Sequence, residues 1–592
     1  MTIENDTFGM YRQKYADGHK SNNTWGKRLE TLAKVIPDGF AFIQGERELT
    51  WKQFDGGVNR LANSFLDLGI EKEDRVAIMG FNSIEWVETY FAASKIGAVP
   101  VNVNARFVPD EVRYILEDSD SVAVVLEADA ADRINQISGY LPLLKHKIVW
   151  GNDVSTDMLD YGELMGGYPD TKPEFDWNVT NEDFSFLFYT GGTTGYPKGT
   201  VWDGEMRVRG LDMMLASAYG GSPDLMNPKI RESMGNVDKL TMINKLSNMF
   251  GTPIIYRAIG SSIRTLVACP LFHGTAYQAN FCNIGCAGLT SVYLSTSHPF
   301  KAKELWETVE EKKVNSILIV GDAFAIPMVE ELEKGDYDLS SLTSIVSSGV
   351  IWSPKIKKRM LELMQNVRLA DALGSSEVSS SFSQSSSSGE KDIQKLNVKL
   401  TNEGPNPCRC INPNTGEDVK PGERGEFIYG GYMALGYWKD PKKTAKAWRV
   451  IGDKRWFFVG DEGTVDEGGY FHFIGRGPTV INTGGEKVYP EEVEEIIKTN
   501  PNVRDAAVVG IPDEKWGEAV TAIVELKADK RATEEEIIEF CRGKMSGYKK
   551  PKHVLLVDKL PRAAAGKLER KPLGEMAKKE LGKSLSNLKP IP

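Results

Sequence analysis

The sequence predicts an α/β fold, with a large N-terminal domain of mixed and parallel sheets flanked by helices and a small α+β C-terminal domain. At 592 residues the chain is too long for a single hydrophobic core. From about Trp25 onward, short β-rich apolar runs alternate with helical patterns, which is typical of largely parallel sheets. A break at 475–478 precedes a second, compact α/β pattern. We therefore expect a polar lead-in over 1–25, a large domain over 26–476 and a small mobile lid domain over 477–592.

The large domain is predicted from short apolar runs bounded by turn residues, which indicate buried strands. Strands are expected at 76–79, 122–126, 147–150, 184–188, 266–269 and 344–346. The pattern at 86–96 predicts a helix. A structureless loop as long as 206–263 would be unusual, so helices are expected within that connection. The serine-rich segment 379–389 is predicted to be a mobile loop.

The small domain shows the same alternation on a smaller scale. Helices are expected at 491–498 and 534–544, and strands at 506–510, 519–526 and 553–557. Pro490 suits the first turn of its helix, where a missing backbone N–H is not needed.

Composition excludes several classes of protein. The net charge of −10 is unfavourable for generic nucleic-acid binding, so no nucleic-acid partner is expected. The N-terminus has no signal-peptide pattern, and no apolar run reaches about 18 residues, so no transmembrane segment is expected. Six cysteines in so long a chain do not indicate a disulfide scaffold or a zinc site, which favours a reducing cytoplasm. Composition does not exclude a peripheral membrane contact or a homo-oligomer.

The stretch 189–199 combines four glycines, three threonines and one lysine. Glycine lets backbone N–H groups turn toward an anion, threonine hydroxyls donate hydrogen bonds, and lysine adds a positive charge, which together suit a polyphosphate. A P-loop is not supported, because Lys198 lies between Pro197 and Gly199. The alternative is an ordinary turn, but so many residues of these types are unusual in one.

This stretch resembles the phosphate-binding loop of the adenylate-forming superfamily, which contains acyl-CoA synthetases, luciferases and peptide-synthetase adenylation domains. Gly191 replaces a common serine. The resemblance implies that ATP is bound there and that Thr190 also serves the metal. The phosphate-binding residues it implies are Thr190, Gly191, Gly192, Thr193, Thr194, Gly195 and Lys198.

A second resemblance, at 270–274, points to the acyl site. By itself a histidine after a strand is usually packed or capping, but in this order after the phosphate loop the superfamily places it beside the acid. The implied acyl pocket consists of His273, Gly274, Thr275, Tyr277, Asp322 and Phe324.

Two further segments resemble the adenine and metal motifs. Ser348 and Gly349 match the loop that flanks the adenine, and Gly374, Ser375 and Ser376 precede Glu377. The resemblance implies that Glu377 holds Mg²⁺, a hard cation that prefers oxygen ligands. Leu373 stands where an aromatic side chain normally stacks on the adenine.

The ribose and hinge motifs follow. Asp461 resembles the carboxylate that accepts hydrogen bonds from both ribose hydroxyls, and Arg476 the arginine beside it. The resemblance implies that the hinge between the domains lies at Pro478. The fixed φ of proline either restricts rotation of the small domain or moves the pivot to Arg476 and Gly477.

Two segments of the small domain complete the resemblance. Gly484, Gly485, Glu486 and Lys487 resemble the loop that faces the site during thioester formation. Lys567 resembles the lysine that bridges the attacking carboxylate and the α-phosphate.

The chain is thus identified as a member of the acyl-CoA synthetase (fatty-acid–CoA ligase) family of adenylate-forming enzymes. The resemblance implies an AMP-forming ligase that uses ATP, Mg²⁺ and coenzyme A. Segments 321–327 and 348–352 resemble bacterial enzymes for fatty or sterol-side-chain acids, which favours an apolar fatty, branched or alicyclic carboxylic acid. Three alternatives stay open: an acyl-AMP ligase that loads a carrier protein, a luciferase-like oxygenase, and a non-catalytic nucleotide-binding regulator.

Overall fold

The structure is a computed structural model of the chain. It describes residues 24–152, 157–192, 195–204, 263–277, 288–296, 298–348, 352–364, 366–378, 381–386, 397–402, 407–476, 481–483, 486–513, 517–542, 544–545, 547–562 and 568–586.

Twenty-seven strands are formed by the described residues. They are β1 (Phe40–Gln44), β2 (Arg47–Thr50), β3 (Arg75–Met79), β4 (Val99–Val103), β5 (Ser121–Glu127), β6 (His146–Trp150), β7 (Leu159–Asp160), β8 (Phe184–Gly192), β9 (Gly195–Asp203), β10 (Arg264–Val267), β11 (Thr290–Tyr293), β12 (Ser316–Ile319), β13 (Ser344–Ser348), β14 (Arg368–Gly374), β15 (Ser381–Ser386), β16 (Asn397–Lys399), β17 (Cys408–Ile411), β18 (Arg424–Tyr429), β19 (Gly436–Tyr437), β20 (Trp448–Ile451), β21 (Lys454–Val465), β22 (Tyr470–Arg476), β23 (Ile481–Thr483), β24 (Glu486–Val488), β25 (Val503–Asp513), β26 (Gly517–Leu526) and β27 (His553–Val557).

The α-helices of the described residues precede, connect and follow these strands. They are α1 (Trp25–Val35), α2 (Trp51–Asp67), α3 (Ile84–Ile96), α4 (Pro109–Asp118), α5 (Ala131–Ile137), α6 (Tyr161–Gly167), α7 (Ala302–Glu311), α8 (Asp322–Leu332), α9 (Pro354–Leu363), α10 (Pro441–Ala447), α11 (Pro490–Lys498), α12 (Glu534–Cys541) and α13 (Arg570–Ser586). Helix α3 shows how local signals set such bounds. The Ser83 side chain accepts a hydrogen bond from the Trp86 N–H at its start, and Gly97 ends it with φ of 83°.

Three sheets make up the large N-terminal part. One has the strand order β15-β14-β13-β12-β10-β11-β1-β2, and a second has the order β19-β9-β8-β4-β3-β5-β6-β7. The third, antiparallel sheet has the order β16-β22-β21-β18-β17, with β20 paired to β21. One hydrophobic cluster joins residues from Trp25 to Phe471 and holds the sheets together.

The small C-terminal part has its own sheet, ordered β24-β23-β26-β25 with β27 paired to β26. Helices α11 and α12 cover one face, where Val493, Ile497 and Ile537 are buried. Helix α13 covers the other face through Leu573 and Ala577. The predicted fold class, a large part with mixed sheets and a small C-terminal domain, is confirmed.

Three local predictions need correction or lie outside the structure. The strand predicted at 184–188 continues to Gly192, because the glycine-rich stretch pairs with β9. Segment 381–386, predicted as part of a mobile loop, is a strand paired antiparallel to β14. That backbone pairing with the preceding strand outweighs the weak β-propensity of serine. Apart from residue 263, the 206–263 connection lies outside the described residues.

No helix of the described residues is long and apolar enough to cross a lipid bilayer.

Candidate active site

Four of the predicted site segments follow the carboxyl ends of neighbouring parallel strands. Strands β10, β12, β13 and β14 are parallel and adjacent. Segments 270–274 and 321–327 follow β10 and β12, and the segments that start with Ser348 and Gly374 begin at the last residues of β13 and β14. In open α/β sheets, ligands bind outside the carboxyl ends of the strands, so this edge is the natural position for a site. The Gly321 N–H donates a 2.8 Å hydrogen bond to Ser347 Oγ and ties two of these segments together.

The glycine-rich stretch forms the end of a β-hairpin. Strands β8 and β9 are antiparallel, with Gly192 opposite Gly195 and Thr190 opposite Lys198. The two residues between the glycines, Thr193 and Thr194, lie outside the described residues. The pairing brings the Thr190 hydroxyl and the Lys198 ammonium to the same end of the hairpin.

Tyr189, the first residue of this stretch, is held from three directions. Its N–H donates to Asn102 Oδ1 at 2.7 Å, and its carbonyl accepts from Asn102 Nδ2 at 3.0 Å. Its hydroxyl donates to the Asp118 carboxylate. Burial raises the pKa of the Tyr189 hydroxyl well above its usual value, and the Asp118 charge adds to the effect, so the hydroxyl keeps its proton. The base of the phosphate hairpin is therefore rigidly anchored.

The buried Asn102 also connects the hairpin to the histidine segment. Its amide Nδ2 donates a second hydrogen bond, of 2.9 Å, to the carbonyl of Phe272. His273 and Gly274 come next in the chain, and a Cβ on Gly274 would lie 2.9 Å from Ser376 Oγ. The histidine segment is therefore in close contact with the segment that carries Glu377.

Glu377 and Lys198 both contact the side chain of Tyr437. The Tyr437 hydroxyl donates a 2.8 Å hydrogen bond to Glu377 Oε1, and the Lys198 Nζ lies 5.0 Å from the centroid of the Tyr437 ring. The Ser375 hydroxyl donates to the other carboxylate oxygen. Trp202 Nε1 donates to the Ser376 carbonyl at 3.1 Å, which fixes the same segment to β9.

The surroundings of Glu377 fit a divalent cation. Both carboxylate oxygens accept hydrogen bonds from neutral hydroxyl groups, and among the described residues no lysine or arginine forms an ion pair with it. The negative charge is thus available to a hard cation such as Mg²⁺, which prefers carboxylate and phosphate oxygens.

The two predicted ribose residues face each other across the antiparallel sheet. Asp461 on β21 is directly opposite Arg476 on β22. The Asp461 side chain is buried. A buried carboxylate at this position can accept hydrogen bonds from a vicinal diol.

The predicted acyl-pocket residues lie in different surroundings. Tyr277 is buried, stacks on Phe186 at 4.3 Å between ring centroids and shares a 2.9 Å hydrogen bond with the Tyr90 hydroxyl. Phe324 packs against Phe300. Asp322 is also buried, but its carboxylate is already bonded to protein groups. It accepts from the Ser353 N–H at 3.0 Å and pairs with Lys498 at 3.3 Å. Thr275 lies in the helical turn that follows His273.

Several predicted residues cannot be placed. Gly349, Pro478, Gly484, Gly485 and Lys567 lie outside the described residues. Glu486 and Lys487 begin β24, where their backbone pairs with Thr483 and Asn482. The roles of all predicted site residues stay predictions.

Sequence reasoning missed Asn102, Tyr437 and Trp202. A polar asparagine inside the apolar β4 was a usable signal, because a buried amide needs partners. Tyr437 and Trp202 offered no comparable signal, since each contacts residues distant in the chain.

Comparison with known proteins agrees with this architecture. The family described as AMP-binding enzyme matches residues 29–222 and 237–438, and the AMP-binding enzyme C-terminal domain matches 492–567. These matches show that the chain belongs to the AMP-binding enzyme family, which uses ATP, and the relatives described below place it in the family of AMP-forming acyl-CoA ligases. The family assignment made from the motifs is confirmed.

Two relatives illustrate the similarity in sequence. A medium/long-chain-fatty-acid–CoA/3-oxocholest-4-en-26-oate–CoA ligase of Mycobacterium tuberculosis is 35% identical over 543 residues, covering 91% of this chain and 93% of the relative. A 3-oxocholest-4-en-26-oate–CoA ligase of Rhodococcus rhodochrous is 34% identical over 550 residues, covering 91% and 93%.

Solved structures share the fold. The anthranilate CoA ligase AuaEII in complex with anthranoyl-AMP superimposes with a TM-score of 0.77 at 24% identity, covering 94% of this chain and 98% of that one. A fatty acyl CoA synthetase of Mycobacterium tuberculosis gives a TM-score of 0.65 at 25% identity, covering 94% and 99%.

Proposed function

We propose that this chain activates an apolar carboxylic acid with Mg·ATP and then forms its thioester with coenzyme A. The observation that carries the proposal is the contact of Tyr437 with both Lys198 and Glu377, which joins the cation predicted to bind phosphate to the carboxylate predicted to bind the metal. Glu377 follows β14 of the sheet whose strand ends carry the predicted acyl and adenine segments, and Lys198 lies on β9 of the second sheet. We also propose the domain bounds 26–476 and 477–592.

In the first step, the acid's carboxylate would attack the α-phosphate of ATP, forming acyl-AMP and releasing pyrophosphate. The hairpin backbone, Thr190 and Lys198 would hold the leaving phosphates, and Glu377 would hold the metal. When bound, Mg²⁺ neutralises phosphate charge. Asp461 and Arg476 would hold the ribose, and Lys567 would orient the attacking carboxylate. Catalysis of this kind depends on positioning and charge stabilisation.

In the second step, the small domain would turn and the Gly484–Lys487 loop would line the path of the thiol. Attack of the coenzyme A sulfur on the acyl carbonyl would then expel AMP. Pro478 at the predicted hinge would limit this turn of the small domain, because proline restricts backbone rotation.

Two considerations support an apolar acid. The named relatives act on medium- and long-chain fatty acids and on a sterol-derived acid. In this chain, Asp322 is the one carboxylate among the predicted pocket residues, and it is already paired with Lys498. Aromatic side chains such as Phe324, which packs against Phe300, favour an aliphatic or alicyclic group.

The test is release of pyrophosphate and AMP with a panel of fatty, branched and alicyclic acids, each with and without coenzyme A. Steady AMP formation and a thioester product only with coenzyme A would support the ligase and rank its acids. Pyrophosphate release without thioester would indicate a different acceptor, such as a carrier protein. No release with any of these acids would contradict the proposal.

A further inference from the structure

Segment 433–438 joins Glu377 to the phosphate hairpin through its backbone. The Ala434 N–H donates a 2.8 Å hydrogen bond to the carbonyl of Glu377, and the Leu435 N–H donates a 2.8 Å hydrogen bond to the carbonyl of Val201 on β9. Strand β19, which lies within the segment, pairs antiparallel with β9. The segment therefore sets where Glu377 lies relative to the hairpin.

Arg455 on β21 bonds the carbonyls of the same two residues. Its Nη1 donates to the Ala434 carbonyl at 3.0 Å, and its Nη2 donates to the Leu435 carbonyl at 2.6 Å. Ala434 and Leu435 thus each donate to an element of the predicted site and accept from one guanidinium. The planar guanidinium presents its donors in a fixed geometry, which suits two adjacent acceptors better than a single ammonium group does.

Arg455 also supports the side chain of Tyr437, through Trp448. The Arg455 guanidinium carbon lies 5.3 Å from the centroid of the Trp448 ring, and a cation over an aromatic face is attracted to it. The Trp448 ring meets the Tyr437 ring edge to face, with 4.9 Å between the centroids and 70° between the planes, which is a favourable arrangement. Arg455 therefore contacts segment 433–438 through its backbone and, by way of Trp448, through the tyrosine that bonds Glu377.

All of these groups are shielded from water. The exposed fraction is 4% for Arg455, 3% for Trp448 and 6% for Tyr437, and Ala434 and Leu435 are also buried. Hydrogen bonds from a charged donor are strong in such surroundings, and a buried carbonyl left without a donor is unfavourable. Loss of the guanidinium would therefore let segment 433–438 shift until water or another donor reached its carbonyls.

We propose that Arg455 is a positioning residue for Glu377, the predicted metal ligand: it fixes segment 433–438 and thereby holds the carboxylate at its place beside the phosphate hairpin. This inference rests on the proposed function. Arg455 acts on Glu377 through the Ala434 N–H and through the Tyr437 hydroxyl. Groups that orient a metal ligand without touching the metal change metal affinity or activity by about 10- to 100-fold when they are substituted.

The experiment compares ATP binding by the full-length protein with and without Mg²⁺, measured by calorimetry, so that one readout needs no turnover. Arg455→Met removes both hydrogen bonds and should lose most of the Mg²⁺-dependent gain in ATP affinity, while metal-free ATP affinity changes less than about threefold because the hairpin keeps its own anchors. The same variant should raise the Mg²⁺ concentration for half-maximal AMP formation by about tenfold or more. Arg455→Lys should give a smaller change, since an ammonium group can still donate to a carbonyl.

A double-mutant cycle with Tyr437→Phe separates positioning from general stabilisation. If Arg455 acts partly through the hydrogen bond from Tyr437 to Glu377, Arg455→Met should raise the Mg²⁺ requirement at least about threefold less in the Tyr437→Phe protein than in the wild type, because changes within one network are not additive. Equal effects in the two backgrounds, or an unchanged Mg²⁺ requirement for Arg455→Met, would overturn the inference. If Arg455→Met does not fold, Arg455→Lys serves in the same cycle.

The matched control is Arg264→Met. Arg264 also donates to a backbone carbonyl, that of Lys312 at 2.5 Å, and lies over the ring of Phe40 at 6.0 Å. It is the first residue of β10, at the opposite end of that strand from the predicted site. Arg264→Met should lower the resistance to urea unfolding and leave the Mg²⁺ dependence unchanged, and a change like that of Arg455→Met would overturn the inference alone. A wild-type protein that releases no pyrophosphate with any acid would contradict the proposed function and the inference with it.

Discussion

The Tyr437 hydroxyl donates a 2.8 Å hydrogen bond to Glu377 Oε1, although the two residues are 60 positions apart. The ring of the same tyrosine faces Lys198. One side chain thus sets the distance between the group predicted to hold the metal and the group predicted to hold phosphate.

Tyr437→Phe should reduce kcat/KM for Mg·ATP by about tenfold, because a hydrogen bond to a charged group contributes roughly 1.5 kcal/mol. The phenyl ring keeps its contact with Lys198, so the effect should appear as a higher Mg²⁺ requirement, measured by Mg²⁺ titration of AMP formation. Tyr337→Phe removes a matched 2.8 Å hydrogen bond to Glu331 away from the site and should leave that titration unchanged. Identical titrations for both variants would contradict this role of Tyr437.

Asn102→Leu should lower the free energy of unfolding by about 3 kcal/mol or more, because it leaves buried backbone groups of Tyr189 and Phe272 unpaired. It should also weaken ATP binding, since the hairpin loses its anchor. Calorimetry of ATP binding and urea unfolding measure the two effects. Asn82→Leu is the matched control, because Asn82 bonds three backbone groups at 267–271. Asn82→Leu should lower stability by a similar amount but weaken ATP binding less than Asn102→Leu does. Equal losses of ATP affinity in the two variants would contradict the role of Asn102 in holding the hairpin.

Glu88 should make the protein less stable as pH rises. Burial raises the pKa of Glu88 to about 7, with hydrogen bonding from Tyr161 opposing part of the shift. The folded protein therefore retains a proton that the unfolded chain loses, so stability is greatest at low pH and falls through the window between the two pKa values. Between about pH 5.5 and pH 8 the unfolding free energy should fall by about 2 kcal/mol from this group. Urea unfolding of Glu88→Gln should lack this part of the slope; an unchanged slope would argue against the shift.

Lys567→Ala should reduce AMP formation by about 100- to 1000-fold, because it removes a charge predicted to act on the reacting groups. ATP affinity should persist, which equilibrium binding would measure. Lys559→Ala, at an exposed lysine of the same small domain, should have little effect. Comparable activity of the two variants would exclude the predicted role of Lys567.

Much of the fold was predictable because its signals are local. The strands predicted at 76–79 and 122–126 and the helix predicted at 86–96 lie within observed elements, because periodicity and capping are properties of the segment itself. The strand at 381–386 was not predictable, since its serines favour a loop and only pairing with β14 orders them.

The predicted site residues, like the fold, include features that local sequence predicts and features that depend on tertiary contacts. The sequence by itself determined the chemistry and order of the motifs, from the threonines and Lys198 to Glu377, Asp461 and Lys567, because residue types and short spacings are local properties. Only the tertiary structure decided that Tyr437 joins Lys198 to Glu377, that Asn102 anchors the hairpin, and that Asp322 pairs with Lys498. Those contacts depend on which strands become neighbours and how the two parts dock, and long-range packing, not local pattern, sets both.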